Sequence, residues 1–410
     1  MVRFGGEEVN ALVFDFGSSL SKVGYAGEDS PKTVLPSYVG QVNDPSNTKT
    51  KVLGINQIYK SRQNMEIISP FDHDGLVNNW EVFENLWDYT YSDILRVESK
   101  DHPLMFANRS WDTKANREKL CELAFEKYDT PGFYLGRSAV LSAFAAGRAT
   151  ALVIDSGAST TSVVPVFDGY VVKKAVQKAP VGGNYVSHQV KQYLRHMNVD
   201  LTPQCLIDQR LPVDTAQPPQ FQRKDFTGIT SSFVDFSIER TIHDFKETIC
   251  NVSEITFNER DLKRRPGKTF EFPTGFNATF GIDRFRIVES LFQPGFLLNA
   301  TLPQSVTIPQ LIAASIGACD AELQTILHTN AVLSGGGTLM PGFSDRVFHE
   351  LQRASPGGRI KIQAAGSASD RKFGPWIGGS ILASLGSFHQ LWISKSQYEE
   401  IGSGVEKRIH

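Results

Sequence analysis

A chain of 410 residues, 40% of them hydrophobic, is long enough to bury two cores, so the sequence predicts two lobes or domains. A formal net charge of -2 excludes a global attraction to nucleic acid or to an anionic membrane. The four cysteines lie far apart without metal-ligand spacing, no run reaches membrane-spanning length, and the first residues lack an apolar signal core. We therefore expect a protein of the cytoplasm or the nucleus.

The first predicted element occurs twice. Residues 11–19 read ALVFDFGSS and residues 151–159 read ALVIDSGAS, with six of nine positions identical. Each copy predicts a buried strand that ends in an acid, a turn of small residues, and a second strand, over 22–26 and 161–167. Such a turn lets backbone N–H groups approach a phosphate, and the acid can hold a hydrated cation. The repeat predicts a duplicated domain with a ligand between its halves; two unrelated hairpins are the alternative.

Between the two copies the chain predicts an α/β lobe. A polar, weakly patterned stretch within residues 37–72 indicates an exposed excursion. Helical spacing of apolar residues follows over 79–95, and Asp112 or Thr113 can cap the next helix. Strands are expected over 104–107 and 133–135, before a helix over 138–146. Strands alternating with helices favour an α/β arrangement.

The second half repeats this alternation. A glycine turn at 180–184 precedes a predicted helix over 185–194, and a helix is expected over 238–250. Residues 202–232 lack periodicity and predict a surface insertion. The basic cluster 263–265 indicates either a nuclear import signal or a solvated loop. A strand at 331–333, a triple-glycine turn, a helix over 343–353 and a packed helical segment over 376–392 complete the chain.

Several motifs together resemble the actin superfamily over essentially the whole chain: FDFGS at 14–18 with Lys22, GYAGED at 24–29, KANREK at 114–119, AVLS at 139–142, FQP at 292–294 and WIGGSILASL at 376–385. Within that superfamily, SAVLSAFAAGR at 138–148, SIGACD at 315–320 and LGSF at 385–388 are similar to the nuclear actin-related subunits of BAF and SWI/SNF-type chromatin remodellers, the actin-related protein 4 class.

The resemblance implies an α/β fold of duplicated actin-like (ribonuclease H-like) lobes with a nucleotide cleft between them. The first lobe is expected to comprise residues 1–145 plus 375–410, with the exposed excursion at about 37–72. The second lobe is expected to comprise residues 146–374, with an outer subdomain at about 182–299 that contains the insertion at 202–232.

The resemblance also implies that the cleft binds ATP or ADP with Mg²⁺ or Ca²⁺. Carried over position by position, the phosphate contacts fall on Ser18, Lys22, Gly157 and Gly182, and Asp15 and Asp155 are expected to contact the metal through water. The adenosine contacts fall on Lys246, Glu247, Gly336 and Lys372.

Departures from the actin pattern affect the hydrolytic residues. Ser138 replaces a glutamine and Ser162 a histidine, both of which position the attacking water in actin. Ala158 replaces an acid in the second turn, and Met340 replaces a tyrosine near the adenine. Because phosphoryl transfer depends on positioning and electrostatics, these losses predict an ATP binder that is not an enzyme.

The functional expectation that follows is a non-polymerising structural subunit of a nuclear remodelling or histone-modifying complex. Its implied partners are actin or another actin-related protein and a helical segment of the remodelling ATPase, docked near Gly147 and residues 376–392. DNA or nucleosome contact is expected only weakly or indirectly, and membrane contact not at all. A cytoplasmic polymerising or motor-associated actin relative is the alternative, and a working phosphotransferase of the same fold is less favoured.

Overall fold

The computed structural model describes residues 10–42, 51–53, 57–224, 226–296 and 306–408, and it contains two six-stranded sheets. Elements are numbered along the chain. The first sheet contains, in spatial order, β19 (Ile393–Ser394), β8 (Gly132–Arg137), β7 (Leu104–Asn108), β1 (Leu12–Phe16), β2 (Leu20–Tyr25) and β3 (Thr33–Pro36). The second contains β11 (Tyr170–Val171), β10 (Thr161–Phe167), β9 (Ala151–Ser156), β17 (Ala331–Ser334) and β18 (Ile362–Ala364), with β12 (Gln177–Ala179) paired to β10.

The two sheets repeat one topology. In each, an antiparallel hairpin provides a central strand, β1 or β9, which pairs in parallel with a later strand, β7 or β17. A further parallel strand, β8 or β18, follows on the same side. Parallel neighbours need crossover connections, which the intervening helices supply. The prediction of duplicated α/β lobes is confirmed.

The helices flank these sheets. They are α1 (Trp80–Tyr89), α2 (Lys114–Glu122), α3 (Ser138–Ala145), α4 (Gly183–His196), α5 (Ser231–Thr248), α6 (Glu259–Leu262), α7 (Asp283–Glu289), α8 (Ile308–Gly317), α9 (Ala321–His328), α10 (Phe343–Ala354), α11 (Ala368–Lys372), α12 (Gly374–Ser384) and α13 (Lys395–Ile401). Thr113 caps α2, since its side chain accepts from the N–H of Asn116. A π-helical segment, Thr90–Leu95, extends α1 across the rest of the predicted helix.

The predicted excursion at 37–72 contains a small sheet. Its strands are β4 (Val39–Val42), β5 (Lys51–Leu53) and β6 (Met65–Ile68), with β4 in the centre. The excursion buries Val39 and Met65, and residues 43–50 and 54–56 lie outside the described part. Its few buried positions are separated by polar residues, so periodicity did not reveal these strands.

The predicted insertion at 202–232 carries an exposed hairpin of β13 (Ile207–Leu211) and β14 (Gln220–Arg223). A second hairpin, β15 (Lys268–Glu271) with β16 (Asn277–Phe280), lies later in the chain. The last residues of the insertion belong to α5, which begins at Ser231, seven residues before the predicted start. Thr230 is its N-cap, and the polar first turn of the helix obscured this beginning.

The C-terminal segment returns to the first sheet. β19 adds a strand to β8, and α12 packs against α3 and β1. The buried indole Nε1 of Trp376 donates to the carbonyl of Val13 at 2.9 Å. This return completes the core over β1. In the described part of the chain, no helix combines the length and apolar character that a membrane span requires.

Candidate functional site

The two repeated hairpins close with the same two-residue turn. The N–H of Gly17 donates to the carbonyl of Leu20 at 3.2 Å, and that of Gly157 donates to the carbonyl of Thr160 at 2.9 Å. The buried hydroxyl of Ser18 donates to the hydroxyl of Ser159 at 3.0 Å, so the two turns face each other. Among the described residues, the N–H groups of Ser18 and Ser159 donate to no backbone carbonyl. They are donors that an anion can use.

An ion pair lies at the base of the first turn. Asp15 and Lys22 are cross-strand partners on β1 and β2, and Lys22 Nζ lies 2.9 Å from Asp15 Oδ2. The two side chains are only 10% and 13% exposed, respectively. In this arrangement Lys22 neutralises the carboxylate and also places an ammonium beside the turn.

The acid of the second hairpin, Asp155, lies opposite Ser162 on β10 and beside Ser334 on β17. Burial raises the pKa of Asp155, and the positive charges of Arg109 and then Lys22 oppose that rise. The negative charge of Asp15 adds to it. The charge of one carboxylate predicted to lie near the metal, Asp15, therefore affects the pKa of the other, Asp155.

Gly182 packs directly against the second turn. A Cβ atom at this position would lie 2.7 Å from the carbonyl oxygen of Ala158 and 2.8 Å from that of Gly157. The next two N–H groups, of Gly183 and Asn184, donate to these same carbonyls. Because both carbonyls accept hydrogen bonds from the start of α4, the second turn is fixed against that helix.

The four residues predicted to contact adenosine also lie together. Lys246 Nζ donates to the carbonyl of Gly183 at 2.9 Å and to the hydroxyl of Ser187 at 2.8 Å. Burial lowers the pKa of this lysine. Lys372 Nζ is 3.3 Å from Glu247 Oε1, and a Cβ on Gly336 would contact the Lys372 side chain. The structure thus joins α5, α11 and the glycine turn after β17.

The donor set fits a nucleotide with a hydrated cation. The facing turns, two serine hydroxyls and Lys22 are the groups that bind phosphate oxygens. Asp15 and Asp155 are the carboxylates that would hold a hydrated cation. Among the described residues, no group of three or more histidine, cysteine, aspartate or glutamate side chains could hold a metal ion.

The outer edge of this site is bridged by the small sheet and the start of α5. The N–H of Asn64 donates to the carbonyl of Gly228 at 2.8 Å, and the Thr230 hydroxyl donates to the carbonyl of Met65. The N–H of Ile67 donates to the hydroxyl of Ser232. The side chains of Met65 and Phe233 are buried against each other. These contacts hold the two halves together on the side away from α12.

The two serines that replace the water-positioning residues of the actin pattern border a small cavity. It is lined by Ser138, Ser162 and Asp155, together with Arg109, which the sequence reasoning missed. The Ser138 hydroxyl donates to the carbonyl of Asn108 at 2.9 Å. Arg109 directly follows β7, and a residue at the carboxyl end of a parallel strand was the available signal. Ser159 was also missed, although it aligns with Ser19 in the repeat.

Comparisons with known proteins agree with this architecture. The family description "Actin" matches residues 6–410. The chain is 38% identical to "Actin-related protein 4" of Emericella nidulans, covering 99% of this chain and 98% of that protein. It is also 38% identical to the protein of that name from Yarrowia lipolytica and 33% identical to that from Arabidopsis thaliana, over 97% and 99% of those proteins. The chain belongs to the actin family, and its full-length similarity to these relatives places it in the actin-related protein 4 class.

Proposed function

We propose that this chain is a non-polymerising actin relative that binds ATP with a divalent cation and hydrolyses it little or not at all. In this proposal it acts as a structural subunit of a nuclear chromatin-remodelling complex of the SWI/SNF or BAF type, or of a related histone-modifying complex. The observation that carries the proposal is the contrast within one site. The two facing turns and the Asp15–Lys22 pair remain, whereas serines occupy both water-positioning places.

The serines are poorly suited to activate water. The hydroxyl of Ser138, the first residue of α3, donates to the backbone carbonyl of Asn108 at the end of β7. Ser162 is buried, and its side chain is shorter than the histidine of the actin pattern. Catalysis of phosphoryl transfer requires a positioned nucleophile, and loss of general base groups costs about a hundredfold or more each. The bound nucleotide then stabilises the fold instead of being turned over.

The C-terminal segment offers a surface for a partner helix. Ile381, Leu385 and Leu391 are 42%, 45% and 54% exposed, whereas the neighbouring Trp376 is fully buried. Exposed apolar side chains on packed helical elements suit an amphipathic helix laid in a groove. The proposed occupant is a helical segment of a remodelling ATPase, with actin or another actin-related protein beside it. With a net charge of -2, DNA contact through this chain is weak or indirect.

The exposed β13–β14 hairpin supports a subunit that does not polymerise. A filament requires two complementary faces that repeat without closing. The hairpin projects Leu211 and the charged strand residues around it from the second half of the chain. A projection of this kind obstructs one repeating contact.

Nucleotide analysis of the purified chain tests the ATP part of the proposal. We expect stoichiometric ATP to remain unhydrolysed for hours at 25 °C, as measured by the ADP fraction on anion-exchange chromatography. Muscle actin assayed in parallel provides the positive control. Rapid conversion to ADP, or no bound nucleotide at any ATP concentration, contradicts the proposal.

Purification of tagged variants from nuclear extract tests the partner. The wild-type chain should co-elute with a remodelling ATPase and actin, and Leu385→Asp should lose both. Leu211→Asp changes a leucine on the remote hairpin that is more exposed, 61% against 45%, and this variant should retain both. Sedimentation of the pure chain as filaments would favour the polymerising alternative.

A further inference from the structure

Arg109 enters the cleft from the first sheet. β7 pairs in parallel with β1, with Phe106 opposite Phe14, so Arg109 leaves β7 at the same edge of the sheet at which the first turn follows β1. Ligands of α/β sheets bind at the carboxyl ends of such strands. An arginine at this edge is placed where an anionic group would lie.

The side chain of Arg109 contacts a backbone carbonyl and an aromatic ring. Its Nε donates to the carbonyl of Gly75 at 2.9 Å, and its guanidinium carbon lies 5.6 Å from the centre of the Trp111 ring. A Cβ on Gly75 would be 2.9 Å from Arg109 Nε and 2.8 Å from Ser159 Oγ, so the guanidinium is close to the second turn. Among the described residues, neither terminal nitrogen of Arg109 donates a hydrogen bond.

The charge of Arg109 acts inside the proposed phosphate site. The residue lines the small cavity with Asp155, Ser138 and Ser162. Arg109 thus adds a positive charge, besides that of Lys22, where the two turns face each other. A guanidinium with two free nitrogens can bind two phosphate oxygens at once.

We propose that Arg109 is a phosphate-binding residue of this cleft, which holds the terminal phosphate of a nucleoside triphosphate and partly replaces the divalent cation as its counter-charge. This inference rests on the proposed nucleotide binding. It predicts a preference for ATP over ADP that survives removal of the cation.

Binding measurements on the full chain test this role. Affinities for ATP and ADP are measured by calorimetry in Mg²⁺ and in EDTA, for the wild type, Arg109→Gln and Arg109→Lys. Arg109→Gln should weaken ATP binding about ten- to a hundredfold, the range for lost charge-assisted hydrogen bonds. It should change ADP binding less than threefold and should make ATP binding strongly dependent on Mg²⁺. Arg109→Lys keeps the positive charge but loses the forked guanidinium, so its affinity for ATP should lie between those of the wild type and Arg109→Gln.

A matched control and a folding check separate the outcomes. Lys178 contacts the same Trp111 ring and pairs with Asp74 but does not line the cavity, so Lys178→Gln should bind ATP as the wild type does. Melting temperatures without nucleotide report folding. If Arg109→Gln binds ATP and ADP as the wild type does, the inference is overturned and the proposed function stands. If the wild type binds no ATP, both are overturned.

Discussion

The Asp15–Lys22 pair makes the coupling between nucleotide binding and stability measurable. Lys22→Met would remove the ammonium while keeping most of the side-chain volume. In the nucleotide-free protein, this change leaves a carboxylate that is only 10% exposed without its partner. Breaking a buried ion pair by removing one partner costs about 3–5 kcal/mol, and we expect the lower end because both groups retain slight exposure.

The same substitution would also lower the stability gained from ATP. The loss of one charge-assisted contact to phosphate is worth about 1.5–3 kcal/mol, up to about a hundredfold in affinity. At an ATP concentration of 100 times the wild-type dissociation constant, ATP stabilises the wild type by about 2.7 kcal/mol. A hundredfold weaker variant gains only about 0.4 kcal/mol under the same conditions. Most of the nucleotide-induced stabilisation should disappear.

Thermal unfolding with and without ATP separates these two effects. For cooperative units of lobe size, the wild-type gain corresponds to roughly 5–10 °C. Asp15→Asn/Lys22→Met should regain stability without nucleotide, because the unpaired charge is gone, but should not regain the ATP-induced shift. Lys119→Met, at an exposed pair with Glu122, is the surface control and should respond to ATP normally. An unchanged ATP-induced shift in Lys22→Met would refute the reasoning.

Three further predictions concern the scaffold. Gly378→Ala places a Cβ into the backbone carbonyl of Leu141, so it should separate α12 from α3 and strongly lower the melting temperature. Gly386→Ala, whose Cβ would have nothing within 4 Å, should leave the melting temperature unchanged. Equal melting temperatures for the two variants would contradict this prediction. Arg346→Met leaves the fully buried Glu289 unpaired and should lower the free energy of unfolding, measured in urea, by about 3–5 kcal/mol. Adding Glu289→Gln should restore part of this stability. No recovery in the double variant would count against a role of the ion pair. Burial raises the pKa of Asp200, but hydrogen bonds from Thr202 and Arg223 outweigh burial and leave the pKa lowered, so the stabilisation is present above about pH 4 and is lost as pH falls through the lowered pKa. Asp200→Asn should therefore be less stable than the wild type at pH 6 and equal to it near pH 2. A stability difference that does not depend on pH would exclude this origin.

The repeated hairpins were predictable because their sequence carries every local requirement. Apolar residues over 11–14 and 151–154 bury the strand, the acid follows them one residue before the strand ends, and small residues form the turn. Two copies made coincidence improbable. The pairing of Asp15 with Lys22 then follows from the register of a two-residue turn.

Other parts of the site depend on contacts that no local pattern reveals. In the sequence, Arg109 is only a charged residue that follows a predicted strand, and folding brings Gly75 and the second turn beside it. Ser159 gains its partner, Ser18, from the opposite hairpin, 141 residues away. The small sheet of β4 to β6 buries few residues, and part of its stability comes from α5. Such features become apparent only after the two halves are assembled.

The late arrival of the C-terminal segment has a consequence for biosynthesis. β8 is complete at residue 137, but β19 and Trp376, which cover its edge and the face of β1, are more than 230 residues away. At about 5–20 residues per second, a ribosome needs roughly ten seconds or more to produce that interval. During this time the nascent chain exposes an unpaired strand edge and an apolar sheet face, which invite aggregation. The dependence of the nascent chain on chaperones should therefore increase as translation of the second half of the mRNA slows.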